Sequence, residues 1–262
     1  MKLTIYQIDA FTDKVFSGNP ACVIPLEDWL PDELLLKIAM ENAVAETAFF
    51  VREKDQIHLR WFTPDLEMDL CGHATLAAAY VLKVHLAYEP DIITFNTLSG
   101  ELNVECQADI LTLDLPSRGA VRSELPVEIQ EAINHQPTDV FKARDYLLVY
   151  PSEEMVSDLE INRELFDRIN LGTGGVIVTA PGEKHDFVSR FFTPQATILE
   201  DPVTGSAHCT LIPYWSRELK KSELTALQVS ERQGLLYCRN NEKRVHISGK
   251  ARTYMVGSIW VD

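Results

Sequence analysis

Residues 60–64 read RWFTP and residues 190–194 read RFFTP, a match at an offset of 190 − 60 = 130 in a chain of 262 residues. Each copy is followed by a glycine that opens an uncharged helix, Gly72-His73-Ala74 in the first half and Gly205-Ser206-Ala207 in the second. The helix offset is 205 − 72 = 133, which implies a small insertion between the two landmarks. A shared order of strand, Thr-Pro turn, glycine and apolar helix makes internal duplication a better explanation than chance. Working outward from the first copy, the helix from Gly72 through Leu82 has almost no polar face, so it should be buried on all sides.

Short β-rich runs surround that helix at 2–11, 47–51, 57–63, 92–97, 101–106 and 110–115. The second half repeats the design at 145–150, 175–180, 186–193, 227–231, 235–239, 244–249 and 253–261. A largely apolar helix among many short strands predicts a sheet wrapped around it. An amphipathic helix is also signalled from Pro31 to Asn42, with Pro31 suited to the first helical position and Asp32 and Glu33 to the positive end of the dipole. Pro116–Gly119 (PSRG) offers a linker, so the halves are expected at 1–117 and 118–262, with the terminal strand 253–262 able to return to the first half.

Composition bounds the function. With 24 basic and 39 acidic residues the formal charge is −15, which disfavours nucleic acid and anionic membrane surfaces as partners. A small anionic substrate stays open, because backbone N–H groups can hold a carboxylate whatever the distant surface carries. The longest uncharged run, 202–216, is too short to span a bilayer and contains two prolines. No signal-peptide pattern opens the chain, and five dispersed cysteines without a CxxC pair read as reduced thiols, so a cytoplasmic protein is expected.

Two helix starts facing one cleft would aim two sets of amide donors at an anion and at the enolate-like charge left when a carbon acid loses its proton. Gly72 and Gly205 permit close backbone approach. Glu46 is the candidate base: it sits in the apolar segment AVAETAFFV, where an idle carboxylate is rare and where burial would raise its pKa. The aligned segment of the second half, GTGGVIVTA, has no carboxylate, so a catalytic Glu46 makes the duplicated site asymmetric. His73 at one helix start and Asp201 before the other complete the candidates, each with an ordinary capping or backbone-bonded alternative. Cys71, His73, His208 and Cys209 lack zinc-ligand spacing, GTGG at 172–175 lacks the lysine of a phosphate loop, and no serine lies in GxSxG.

The stretches DAFT (9–12), GNPACV (18–23), AETAFF (45–50), RWFTP (60–64), CGHATLA (71–77) and EDPVTGSA (200–207) together resemble the PhzF-like isomerases, relatives of diaminopimelate epimerase and proline racemase. The resemblance covers nearly the whole chain. It implies an α+β fold of two pseudo-symmetric halves, each a curled, mostly antiparallel sheet around a central apolar helix. It also implies general acid/base catalysis by Glu46 with His73 and Asp201, and substrate binding by Gly72, Gly205 and Ser206. The implied partner is a small carboxylated substrate, with no cofactor or metal, and a homodimer follows by analogy. Ala74 departs from the proline that phenazine enzymes carry there, which puts the phenazine substrate itself in doubt. Cys71 stands where related epimerases carry one of two catalytic cysteines, but an offset of 201 − 71 = 130 sets Asp201 opposite it, so a two-thiol racemase would lack its second base. An epimerase using Cys71 and a non-catalytic metabolite-binding protein are the competing readings.

Overall fold

A computed structural model describes residues 1–54 and 56–261. In chain order the first elements are β1 (Lys2–Ala10), β2 (Asn19–Leu26), α1 (Asp32–Asn42), β3 (Glu46–Glu53), β4 (Gln56–Phe62), β5 (Glu67–Met68) and α2 (Gly72–Tyr80). A π-helical turn at Val81–His85 extends α2 before β6 (Ile92–Thr97), β7 (Gly100–Gln107) and β8 (Ile110–Pro116). Next come β9 (Val121–Arg122), α3 (Val127–Ala132), β10 (Asp139–Lys142), β11 (Tyr146–Val149), α4 (Glu153–Ser157), α5 (Arg163–Phe166), β12 (Val176–Pro181) and β13 (Phe187–Phe192). The chain ends with α6 (Gly205–Leu219), β14 (Glu223–Gln228), β15 (Gly234–Asn241), β16 (Arg244–Gly249) and β17 (Ala251–Trp260).

Two compact units result: Met1–Asp114 with Ile247–Asp262, and Leu115–His246. β17 lies in the first unit, antiparallel to β1 from Lys2↔Trp260 to Ala10↔Ala251. Most pairs are hairpin-like and antiparallel, but β2 and β3 are parallel, as are β4 and β6, β11 and β12, and β13 and β14. Parallel neighbours need a crossover, and helices supply it. Thus α1 links β2 to β3, α2 lies between β4 and β6, and α6 joins β13 to β14.

The two long apolar helices are buried as their composition demands. Every α2 residue from Gly72 to Ala79 is buried, against β1, β2, β3 and β17. The first eight residues of α6 are buried too, and α6 packs on β14 and β15. Pro213 inside α6 cannot give its N–H to the carbonyl of Cys209. The backbone N–H of Arg118 takes that carbonyl instead at 2.8 Å, which ties the linker to the helix.

The repeated arginines have one structural task. Arg60 grips Glu67 with Nε and Nη2, both at 2.7 Å, and Arg190 grips Glu200 the same way at 2.8 and 2.9 Å. Each guanidinium also lies over the aromatic ring two residues on, Phe62 at 5.1 Å and Phe192 at 4.8 Å. After each Thr-Pro a backbone bond closes the turn, Thr63 N–H to Leu66 and Thr193 N–H to Leu199. The second loop is longer by (199 − 193) − (66 − 63) = 3 residues, which locates the insertion and accounts for 133 − 130.

Several expectations need correction. Pro31 is the residue before α1 rather than its first helical residue. Strand β2 carries two prolines and was not expected, and β14 lies at Glu223–Gln228 rather than 227–231, because Ser230 turns the chain through bonds to Pro202 and Gln233. Since the insertion precedes Leu199, the residue matching Cys71 at the helix start is Thr204, not Asp201; each is the last residue before its helix.

Candidate active site

Glu46 opens β3 where it runs beside β2 in the register Ala21↔Glu46. From there its Oε2 reaches His73 Nε2 at 3.0 Å, with the glutamate side chain 12% exposed and the histidine 2%. The approach is close but poorly aligned, since neither atom completes a hydrogen bond of good geometry. Behind the ring, the Asn19 side-chain amide meets His73 Nδ1 at 3.0 Å and Cys71 Sγ lies 3.6 Å from the same nitrogen. An asparagine amide offers either an oxygen or an N–H, so it can serve the imidazole in both protonation states. Gly18, with φ +67°, makes this possible: a Cβ there would lie 2.2 Å from the Ala10 carbonyl oxygen, and the tight turn delivers Asn19 to the start of β2.

Electrostatics at this helix start are opposed and legible. Burial works against a charged His73, while the Cys71 sulfur and the Glu46 carboxylate work for it, and together they hold the imidazole well above its ordinary value. Burial, reinforced by the Glu46 charge, pushes the Cys71 thiol up to about 11. Among the described residues no side chain caps α2 and no acid sits in its first turn, so its leading N–H groups present the positive end of the dipole. The ligand atoms of Glu46, Cys71 and His73 lie within 4.8 Å of one another, close enough to hold a cation.

The second unit builds a different helix start. Asp201 accepts the Thr204 hydroxyl at 2.6 Å, and the Gln228 side chain ties the Asp201 carbonyl at 2.7 Å to the Thr204 N–H at 2.8 Å. Gly205 and Ser206 open α6, again without a side-chain cap. Ser206 Oγ accepts from Arg144 Nη2 at 3.0 Å, while Arg144 Nε reaches both oxygens of the fully buried Asp145 at 3.1 and 3.3 Å. Asp145 also accepts the Gly175 N–H at 2.9 Å. Within the first turn of α6, His208 is fully buried with Nδ1 on the Thr204 carbonyl at 2.8 Å, and burial pushes its pKa down to about 4.

The structure therefore brings Glu46, Gly72 and His73 together within the first unit, and gathers Asp201, Gly205 and Ser206 around Thr204 in the second. Sequence reasoning overlooked Asn19, Arg144, Asp145 and Gln228. Asn19 lies inside the GNPACV stretch and could have been found there. The other three belong to no motif and come together only through the fold.

The family model described as phenazine biosynthesis-like protein matches residues 8–257. A Pseudomonas aeruginosa protein named an uncharacterized isomerase is 46% identical over 260 residues, covering 99% of each chain. The crystal structure of a phenazine biosynthesis protein of the PhzF family from Enterococcus faecalis superposes with a TM-score of 0.93 at 42% identity, covering all of both chains. A hydroxyproline epimerase from Agrobacterium vitis, crystallised with trans-4-hydroxy-L-proline, shares the fold alone, with a TM-score of 0.66 at 8% identity over 98% of this chain and 92% of that one. By family match, full-length identity and fold, the chain belongs to the PhzC-PhzF, or phenazine biosynthesis-like, family of isomerases.

Proposed function

We propose that the protein moves a proton, and with it a double bond, on a small carboxylated metabolite, with Glu46 as general base and then general acid. The observation that carries this reading is the chain Glu46–His73–Asn19 at the uncapped start of α2: a carboxylate 12% exposed whose neighbour is a histidine rather than a lysine or arginine clamp. In the reaction the Glu46 carboxylate takes a proton from one substrate carbon and the released electron pair shifts into the neighbouring π system. The resulting carboxylic acid returns the proton to another carbon. The imidazolium of His73 and the leading N–H groups of α2 stabilise the negative charge that develops in between. Gly72 is assigned to substrate binding by its backbone, and Asp201, Gly205 and Ser206 keep the parts that the resemblance implies for them.

Cys71 is the weaker base. A thiol pushed up to about 11 is protonated near neutral pH, whereas proton abstraction needs a thiolate. The Glu46 assignment is tested by incubating the protein with a panel of small cyclic carboxylic acids in heavy water and following C–H to C–D exchange. Glu46→Gln should lower exchange by about 10³-fold or more while leaving ligand affinity nearly unchanged. Exchange at the wild-type rate in that variant overturns the assignment. Loss of wild-type exchange after dialysis against a chelator, restored by a divalent cation, would instead make the Glu46–Cys71–His73 cluster a metal site.

A further inference from the structure

The surroundings of Arg144 are unusual for a structural arginine. Its Nε is committed to Asp145, which is itself fixed by the Gly175 N–H, and its Nη2 donates to Ser206 Oγ at 3.0 Å. The remaining Nη1 is buried and has no hydrogen-bond partner among the described residues. A guanidinium has donors only. Ser206 can therefore only accept from Arg144, and its own hydroxyl hydrogen must be given elsewhere, to an oxygen that accepts. The positive charge behind it strengthens that donation. Ser206 is thus set as a one-way donor at the second residue of α6.

The first unit has a counterpart arrangement. There the second residue of the buried helix is His73, and a side chain from the start of β2, Asn19, meets it at 3.0 Å. In the second unit the supporting side chain comes from the bend just before β11. The duplication thus keeps a supported second residue in each helix but changes the support. An amide can present either face to its partner. An arginine cannot, so it fixes one direction of donation.

We infer that Arg144 is a positioning and specificity-determining residue: it locks Ser206 as a donor and thereby selects an ionised acid group of the substrate over a neutral amide of the same shape. This rests on Ser206 binding the substrate, as proposed above, but not on Glu46 being the base. The probes are benzoate and its neutral isostere benzamide, titrated into isotopically labelled protein while the Gly205 and Ser206 amide resonances are followed. The wild type should bind benzoate at least about 10-fold more tightly than benzamide, the factor expected for one charge-assisted hydrogen bond. The double variant Arg144→Met/Asp145→Asn, which leaves no lone buried carboxylate, should bring that ratio close to one. Ser206→Ala should do the same, and combining it with the double variant should change the ratio no further. Arg144→Lys, which keeps the charge, should restore most of the preference.

A merely structural arginine would weaken both probes alike, so an unchanged ratio in the double variant overturns the inference. So does a wild type that shows no preference or no shift at Ser206. Failure of the Glu46 reading appears separately, as exchange that survives Glu46→Gln while the Arg144 ratios behave as stated.

Discussion

In the first unit β3 opens on Glu46; in the second, β12 is preceded at the corresponding place by Gly175. Both positions lie on the face of their strand turned to the buried helix, as shown by the alternate residues: Phe49 and Val51 pack in the outer cluster of the first unit, and Val176 and Val178 in that of the second. The second unit is not without a carboxylate nearby. Asp145 lies there, but Arg144 and the Gly175 N–H occupy it, whereas Glu46 keeps one close, badly aligned contact with His73. Duplication has therefore preserved the clamps, Arg60–Glu67 and Arg190–Glu200, and diverged where chemistry would occur. One copy carries Glu46, the proposed base, beside His73, while in the other Asp145 holds the Arg144 that reaches Ser206.

Gly175 offers the most direct way to break the comparison, with a large expected effect on stability. A Cβ at that position would lie 2.4 Å from Phe191 Cζ and 2.7 Å from the Phe192 carbonyl oxygen, closer than real Cβ contacts. A side chain at this place in the second unit would therefore force its surroundings to shift, whereas the first unit carries Glu46 there. Gly175→Ala should lower stability by about 2–3 kcal/mol in denaturant unfolding, as overpacking does. Glu46→Ala in the first unit should cost far less. Equal tolerance at both sites would show that the asymmetry is not steric.

The two helix histidines sharpen the contrast through pH. Burial holds His208 near 4, against about 6.5 in the unfolded chain, so below about pH 6.5 the unfolded state binds a proton that the fold refuses. Stability from a neutral His208 is complete above that pH and is lost as pH falls toward 4, on the order of 3 kcal/mol. His73 has the opposite sign. Its raised value contributes stability that is complete below about pH 6.5 and is lost as pH rises through the folded value. Urea unfolding from pH 4 to 8 should show the acid loss flattened in His208→Leu but retained in His73→Gln. The same slope in wild type and His208→Leu would remove His208 from the account.

How much of this could be read beforehand follows from how each feature is encoded. The buried helices, the clamped repeat and Glu46 were legible because composition departs there from its neighbours: a helix with almost no polar face, a pentapeptide repeated with one change, a charge in an apolar segment. β2 was not, since Pro20 and Pro25 argue against a strand paired on both sides. The sheet accommodates them because each proline is paired on one side only: β1 pairs Asn19 to Val23, stopping short of Pro25, and β3 pairs Ala21 to Leu26, starting after Pro20. The helices α3, α4 and α5 span six, five and four residues, too short for a periodic pattern, and Ser152 and Asn162 start two of them by accepting backbone N–H groups. Arg144 and Asp145 sit in a bend, where no periodicity marks a residue, and only the packing of β11 beside β12 brings them to Ser206 and Gly175.

The smallest expected effect concerns Cys71, whose counterpart before the second helix is Thr204. If the residue before each helix acts only as the last extended residue of its turn, a sulfur is no more necessary there than the hydroxyl that Thr204 gives to Asp201. The thiol contributes to the raised His73 pKa but is itself pushed up to about 11, so it exchanges no proton near neutral pH. Cys71→Ser replaces it with a hydroxyl of similar size and should reduce the heavy-water exchange rate by less than about threefold, within the range of one weak contact. Its pH profile should keep the wild-type shape. A fall of a hundredfold or more, with ligand affinity retained, would show that the first unit works with two acid/base groups rather than one, and would restore the Cys71 epimerase reading.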